Sequence, residues 1–132
     1  MAVGRTGTAG FDYIFATIPT TAASNTATQD YPVFVAPKAC LVSSVMLVPA
    51  TAATGTDTHS RNLNIDIPDG TEVANVDYVS GVDETAMTAR TPYTAAAGTA
   101  MAAGGVLAVE SELVSNGLIL PHYLVRVKLQ WK

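Results

Sequence analysis

The chain has 132 residues, a formal net charge of −4 at neutral pH, and only 14% charged residues. This length fits one domain, which can bury roughly two thirds of its unfolded surface without a metal or a disulfide. The seven basic residues are scattered, which argues against nucleic-acid binding. No apolar run approaches the length of a membrane span, and the single cysteine, Cys40, excludes an internal disulfide. We therefore expect a protein without nucleic-acid or membrane partners.

The N-terminal residues predict a flexible arm followed by a short adhesive strand. Residues 1–10 are small and Gly-rich, which is typical of a mobile terminus. Phe11–Ile18 holds three aromatic residues within five positions and predicts a short strand or an adhesive segment, which Pro19 ends. The resulting division is an N-terminal arm with its adhesive strand over 1–18 and a single β-sandwich domain over 19–132.

The middle of the chain reads as short strands separated by turns. A buried central strand is predicted over 39–48, because both of its faces are apolar. The polar, Thr-rich stretch 50–60 resembles the tip of a long hairpin. Residues 62–68 alternate, and the turn Pro68-Asp69-Gly70 leads into a hairpin partner over 71–79.

The C-terminal stretch carries the clearest pattern. Its last arm places Tyr123, Val125, Val127, Leu129 and Trp131 on one face, and Leu124, Arg126, Lys128 and Gln130 on the other. Period-two alternation predicts a strand with one buried and one wet face, which antiparallel sheets accommodate. A weaker strand is expected over 93–103, and Asn116-Gly117 is a turn signal. With no convincing helix, the fold predicted is an all-β, antiparallel β-sandwich, jelly-roll-like, with a flexible N-terminal arm.

Metal chemistry has little support in the sequence. Asp57 and His59, with Asp66 or Asp69, can supply oxygen and nitrogen ligands. However, neither a Cys-x-x-Cys nor a His-x-x-x-His spacing occurs, and these are the spacings that zinc sites use. We expect no metal and no cofactor.

Enzymatic chemistry also has little support in the sequence. No Gly-x-Ser-x-Gly elbow is present. Glu110 and Glu112 share one face of a predicted strand, about 7 Å apart. A glycosidase can use such a pair, but solvated acidic pairs are far more common. We therefore expect that the protein is not an enzyme, and that its surface serves partners instead.

The layout resembles that of tailed-bacteriophage capsid decoration proteins, also called cement or head auxiliary proteins. The similarity runs over roughly residues 33–131 and rests on layout rather than on a diagnostic motif. The residues that carry it are Pro37-x-Ala39, Val42-x-x-Val45, the alternating strand 62–67, Ala102-Ala103-Gly104-Gly105-Val106-Leu107, Glu110-Ser111, Gly117, Pro121 and Leu124-Val125-x-Val127. Gly105 departs from the pattern, which often has Asp there.

The resemblance implies a structural virion protein that binds the outer surface of an icosahedral phage capsid and stabilises it. Its partners would be the major capsid protein and further copies of itself, often as a homotrimer, after assembly in the host cytoplasm. The N-terminal arm would make the capsid or neighbour contacts. The residues expected in that interface are Arg5, Phe11, Tyr13, Ile14 and Phe15, since aromatic and Arg side chains dominate binding energies.

Two other functions remain open. The chain can instead be a β-sandwich receptor- or glycan-binding module of a virion fibre or tail, with residues 50–60 at its tip. A small enzyme that uses His59 or His122 is a third reading.

Overall fold

The computed structural model describes residues 3–5, 10–56, 58–66, 72–78 and 86–132. In these ranges the chain forms no helix, so none is long and apolar enough to cross a membrane. The strands are β1 (Val3–Arg5), β2 (Phe11–Ile18), β3 (Gln29–Val35), β4 (Cys40–Pro49), β5 (His59–Asp66), β6 (Glu72–Tyr78), β7 (Tyr93–Met101), β8 (Val106–Ser115) and β9 (Tyr123–Trp131).

The strands form two antiparallel sheets. One has the order β1-β2-β9-β4-β7 and the other has the order β3-β8-β5-β6. Without the short β1, each sheet has four of the described strands, and the chain crosses repeatedly from one sheet to the other. This interleaved order is that of a jelly roll, which is built from two Greek keys. The predicted all-β antiparallel sandwich of jelly-roll type is confirmed.

The alternation of β9 decides which way its sheet faces. Tyr123, Val125, Val127 and Leu129 are buried, while Leu124 and Gln130 are exposed. The buried side chains meet Leu63, Ile65, Leu107 and Val109 of the second sheet in one hydrophobic core. The predicted division of this strand into two faces is confirmed, with Trp131 half-buried at its end. β9 lies in the middle of its sheet.

Phe11–Ile18 belongs to the sandwich, which corrects its assignment to an arm. As β2 it pairs along its whole length with β9, from Phe11 opposite Gln130 to Ile18 opposite Tyr123. Ile14 and Ile18 are buried in the core. The division at residue 18 therefore cuts through the first sheet. Of the predicted arm, residues 3–5 form β1 beside β2, and residues 1–2 and 6–9 lie outside the described residues.

The antiparallel strand pair predicted in the middle of the chain is present, but the loop before it does not have the predicted position at the tip of a hairpin. β5 and β6 pair antiparallel, and the turn predicted at 68–70 lies outside the described residues. The stretch 50–60 was predicted to be the tip of a long hairpin, but β4 and β5, the strands before and after it, belong to different sheets. This connection is tied down where Ala53 pairs with Met87, both of them buried.

Cys40 gives a pH-dependent prediction. The side chain is fully buried at the start of β4, and burial raises the pKa of its thiol above the ordinary value of about 9. Between the unfolded and folded pKa values only the unfolded chain loses the proton, so stability falls as pH rises through this window. We expect Cys40→Ala, although less stable overall, to lose less of its unfolding free energy than the wild type between pH 8 and 10. Urea denaturation of both proteins along that pH series measures the difference, and parallel pH profiles would contradict it.

Candidate protein-binding face and its opposite

The outer side of β2 and β9 carries large side chains that do not enter the core. We call it the aromatic–basic face, defined by Phe11, Tyr13, Phe15, Leu124, Arg126 and Lys128. The strand register brings the two sets together, with Tyr13 opposite Lys128 and Phe15 opposite Arg126. Residues that pair directly across antiparallel strands point to the same side of a sheet. The face is therefore continuous across both strands.

Each cation on this face lies on an aromatic ring. The Arg126 guanidinium carbon is 4.7 Å from the centre of the Tyr13 ring, and the Lys128 Nζ is 4.6 Å from the centre of the Phe11 ring. Both contacts are diagonal, because each ring lies two residues along β2 from the residue that pairs directly with the cation. Cation–π contacts of this kind contribute roughly 0.5–1 kcal/mol at exposed sites. They restrain two flexible side chains on the surface.

Hydrophobic side chains remain accessible beside the cations. Phe15 is 46% exposed and Leu124 is 39% exposed, and they lie on diagonal positions of the β2–β9 pair. On the other side of β9, Met46 and Val48 of β4 pair with Arg126 and Leu124 and are half-buried. Aromatic residues, Met and Arg are enriched in protein interfaces, so Tyr13, Phe15 and Arg126 give this face an interface-like composition.

The structure brings three of the five predicted interface residues together and corrects one. Phe11, Tyr13 and Phe15 share the aromatic–basic face. Ile14 is 1% exposed and lies in the core, because it occupies the opposite phase of the strand. Arg5 is described only as the last residue of β1, where its Cα pairs with Asp12. Arg126 and Lys128 were not predicted to lie in an interface, because nothing in the sequence shows that β9 pairs with β2.

The outer side of the second sheet has the opposite charge. This acidic face is defined by Asp30, Asn62, Asn64, Asp66, Glu110 and Glu112, on β3, β5 and β8. The Asn64 amide donates to Glu110 at 2.9 Å and to Glu112 at 3.2 Å, and the Asn62 amide donates to Glu112 at 3.1 Å. These donors are neutral, so they position the two carboxylates without cancelling their charge.

Three carboxylates of this face gather at one end. Asp30, Asp66 and Glu110 each place an oxygen within 4.8 Å of the others. Hard cations such as Ca²⁺ prefer oxygen ligands, but they take six to eight of them. Of the metal ligands considered from the sequence, Asp57 and Asp69 lie outside the described residues. His59 Nδ1 lies 2.9 Å from the Thr58 hydroxyl.

A buried cation that was not predicted from the sequence is Arg61. It is 0% exposed, and its guanidinium donates to backbone carbonyls that belong to three separate segments of the chain. Nε reaches Leu118 at 2.8 Å, Nη1 reaches Ser111 at 3.2 Å, and Nη2 reaches Ser24 at 3.1 Å and also Thr26. Burial lowers the pKa of the guanidinium, but an arginine stays charged in proteins. Arg61 therefore acts as a structural clamp and is not available to a ligand.

The alternation of β5 could have predicted that Arg61 is buried. Leu63 and Ile65 point into the core, and the same phase carried back two residues places Arg61 inside. An arginine in the inward phase of a strand must find partners inside the domain, because an unpaired buried charge is too costly.

No protein-family model matches the chain, and no curated protein matches it. Among solved structures, the chain is similar to one from the infectious bursal disease virus, Gx strain, at 11% identity with a TM-score of 0.31. The match covers 89% of this chain and 32% of that chain, so this chain spans about a third of the other's length. A TM-score this low does not establish a shared fold, and it says nothing about what this chain does.

Proposed function

We propose that this chain is a structural virion protein, a decoration protein that binds the outer surface of an icosahedral phage capsid and stabilises it. The observation that carries the proposal is the aromatic–basic face, where accessible Phe15 and Leu124 lie beside two cations fixed on aromatic rings. The jelly-roll strand order is compatible with it, since that architecture recurs in viral capsid and lectin domains. Fold alone does not give function, so the surface is the stronger support.

The described polar clusters also favour a binding role over catalysis. The guanidinium of Arg61 bonds to carbonyl groups, and the amides of Asn62 and Asn64 bond to Glu110 and Glu112. These groups stabilise the scaffold and its surface. In the proposal, the major capsid protein is the partner, and each bound copy favours the assembled shell by mass action. The homotrimer that the sequence resemblance implies remains part of the proposal.

Point substitutions on the face test capsid binding. We expect Phe15→Ala with Leu124→Ala to weaken co-sedimentation with phage heads that lack this protein by at least about tenfold, because central apolar contacts of an interface contribute 1–2 kcal/mol each. The matched control is Val35→Ala with Ile119→Ala. These side chains are 58% and 52% exposed and lie outside the aromatic–basic face.

The comparison of the two double variants decides the outcome. Equal head binding by both would contradict a contact through the aromatic–basic face. If neither the wild type nor the control binds phage heads at any concentration, that result would contradict the decoration function itself. Deleting residues 2–18 is not a usable test, because it removes β2 and the core residues Ile14 and Ile18.

A glycan-binding module is the second candidate, favoured by the row of aromatic residues on β2. Sugars stack on the open faces of aromatic rings, and Phe15 leaves such a surface accessible. However, Arg126 and Lys128 lie over the rings of Tyr13 and Phe11, which leaves less ring surface for a sugar. The structure therefore favours a protein partner on this face.

A further inference from the structure

The two outer surfaces of the sandwich are complementary in charge. Among the described side chains, the outward positions of β2, β9 and β4 include Arg126 and Lys128 and no acidic residue. The outward positions of β3, β5 and β8 include Asp30, Asp66, Glu110 and Glu112 and no basic residue.

The charges match in spacing as well as in sign. Arg126 and Lys128 are two residues apart on one strand, and Glu110 and Glu112 are two residues apart on another. Residues i and i+2 of a strand lie about 7 Å apart on the same face. A pair of cations and a pair of carboxylates with the same separation can form two ion pairs at once.

Both pairs are held in place before any contact forms. The cations lie on Tyr13 and Phe11, and the carboxylates accept hydrogen bonds from Asn62 and Asn64. Groups that are already fixed lose less side-chain entropy on binding, which is the main cost of surface ion pairs. We therefore propose that the chain binds a second copy of itself head to tail, with the aromatic–basic face of one copy on the acidic face of the next.

The geometry of this contact makes it open-ended. The two faces lie on opposite sides of the sandwich, since each is the outer side of one of its two sheets. A contact between different surfaces is heterologous, and it forms a ring only when the rotation between copies closes. When the two contact surfaces lie on opposite sides of the molecule, each copy is added in nearly the same direction as the last. Successive copies therefore stack in a column and do not close a ring. This state differs from the homotrimer that the sequence resemblance implies.

The size of the contact makes it weak. The strands β2, β9 and β4 are eight to ten residues long. The aromatic–basic face together with the neighbouring β4 therefore measures about 27 by 15 Å, or roughly 400 Å² on each copy. A standard stable interface buries about 800 Å² on each partner. The stack therefore forms at high protein concentration and low salt. Capsid binding uses the same face, so the two contacts compete.

Sedimentation equilibrium of the purified protein, up to about 1 mM and at low and high salt, tests the proposal without phage heads. We expect mass to increase with concentration at low salt. Removing the cations with Arg126→Gln and Lys128→Gln should weaken association roughly tenfold, as two lost ion pairs predict. The matched control, Lys38→Gln with Lys132→Gln, makes the same change in net charge and should associate like the wild type.

A mixing experiment shows whether the two faces meet each other. We expect Arg126→Glu with Lys128→Glu to be monomeric, and Glu110→Lys with Glu112→Lys to be monomeric, each by itself. A one-to-one mixture of these two variants should regain association, because each retains one intact face that fits the other.

Three results would overturn the proposal: a wild type that stays monomeric at low salt up to about 1 mM, equal weakening by the control pair, or a mixture that stays monomeric. None of these measurements involves heads. Their failure is therefore distinct from a failure of capsid binding, which is measured at concentrations where copies do not self-associate.

Discussion

Replacing Arg61 with methionine is expected to lower the free energy of unfolding by about 3–5 kcal/mol. Methionine keeps the apolar length of the side chain but removes every donor. The carbonyl oxygens of Ser24, Thr26, Ser111 and Leu118 then lose their guanidinium partner inside the domain. Each buried acceptor left unpaired costs about 1–3 kcal/mol, and the relief of no longer burying a charge offsets part of that sum.

Urea denaturation, compared with Arg90→Gln, measures this effect. Arg90 is exposed, so its replacement should change stability by no more than about 0.5 kcal/mol. Arg61→Lys is expected to recover only part of the loss, because an ammonium group cannot reach acceptors on three segments with the fork geometry of a guanidinium. A loss below about 1 kcal/mol for Arg61→Met would show that the clamp is dispensable.

Gly117→Ala is expected to lower the free energy of unfolding by more than about 3 kcal/mol, because two separate penalties combine. Gly117 has a φ of 74°, a left-handed conformation that alanine adopts only at a cost. A Cβ there would also lie 1.8 Å from the Ser24 carbonyl oxygen and 2.5 Å from Leu113 Cδ1. The Leu113 side chain can turn away, but the Ser24 carbonyl is held by Arg61.

The chain offers controls that separate the two penalties. Gly98 and Gly10 have φ values of 81° and 98°, and a Cβ at either position would meet nothing within 4 Å. Gly98→Ala and Gly10→Ala should therefore show the conformational cost alone, about 1–2 kcal/mol. The excess loss in Gly117→Ala measures the close approach of the 20–28 loop. Equal losses at the three positions would contradict that close approach.

Periodicity within a strand predicted most of what depends on local sequence. The inward phase of β9, the pairing of β5 with β6 and the all-β class all follow from alternation and turn residues. The same alternation places Ile14 on the opposite face from Phe11, Tyr13 and Phe15. The position of Ile14 in the core could therefore be predicted from the sequence. A prediction that takes Phe11–Ile18 as one adhesive segment ignores this strand phase and therefore places Ile14 in the interface.

Sheet order depends on contacts that are remote in sequence, and alternation does not encode them. A strand with one apolar face can pair with any other strand of suitable phase, so the pairing of β2 with β9 could not be predicted. The aromatic–basic face depends entirely on that pairing, since its rings come from one strand and its cations from the other. The partners of Arg61 lie 35 to 57 residues away in sequence.

The position of β9 between β2 and β4 also constrains how the chain can fold during its synthesis. The ribosome makes β2 and β4 early, but both must wait for residues 123–131 before their shared neighbour exists. Until then, apolar residues of Phe11–Ile18 and Cys40–Pro49 remain uncovered. Such uncovered strands slow folding and promote aggregation. A nascent chain of this topology therefore benefits from rapid completion of its last strand, or from a chaperone that shields its early strands.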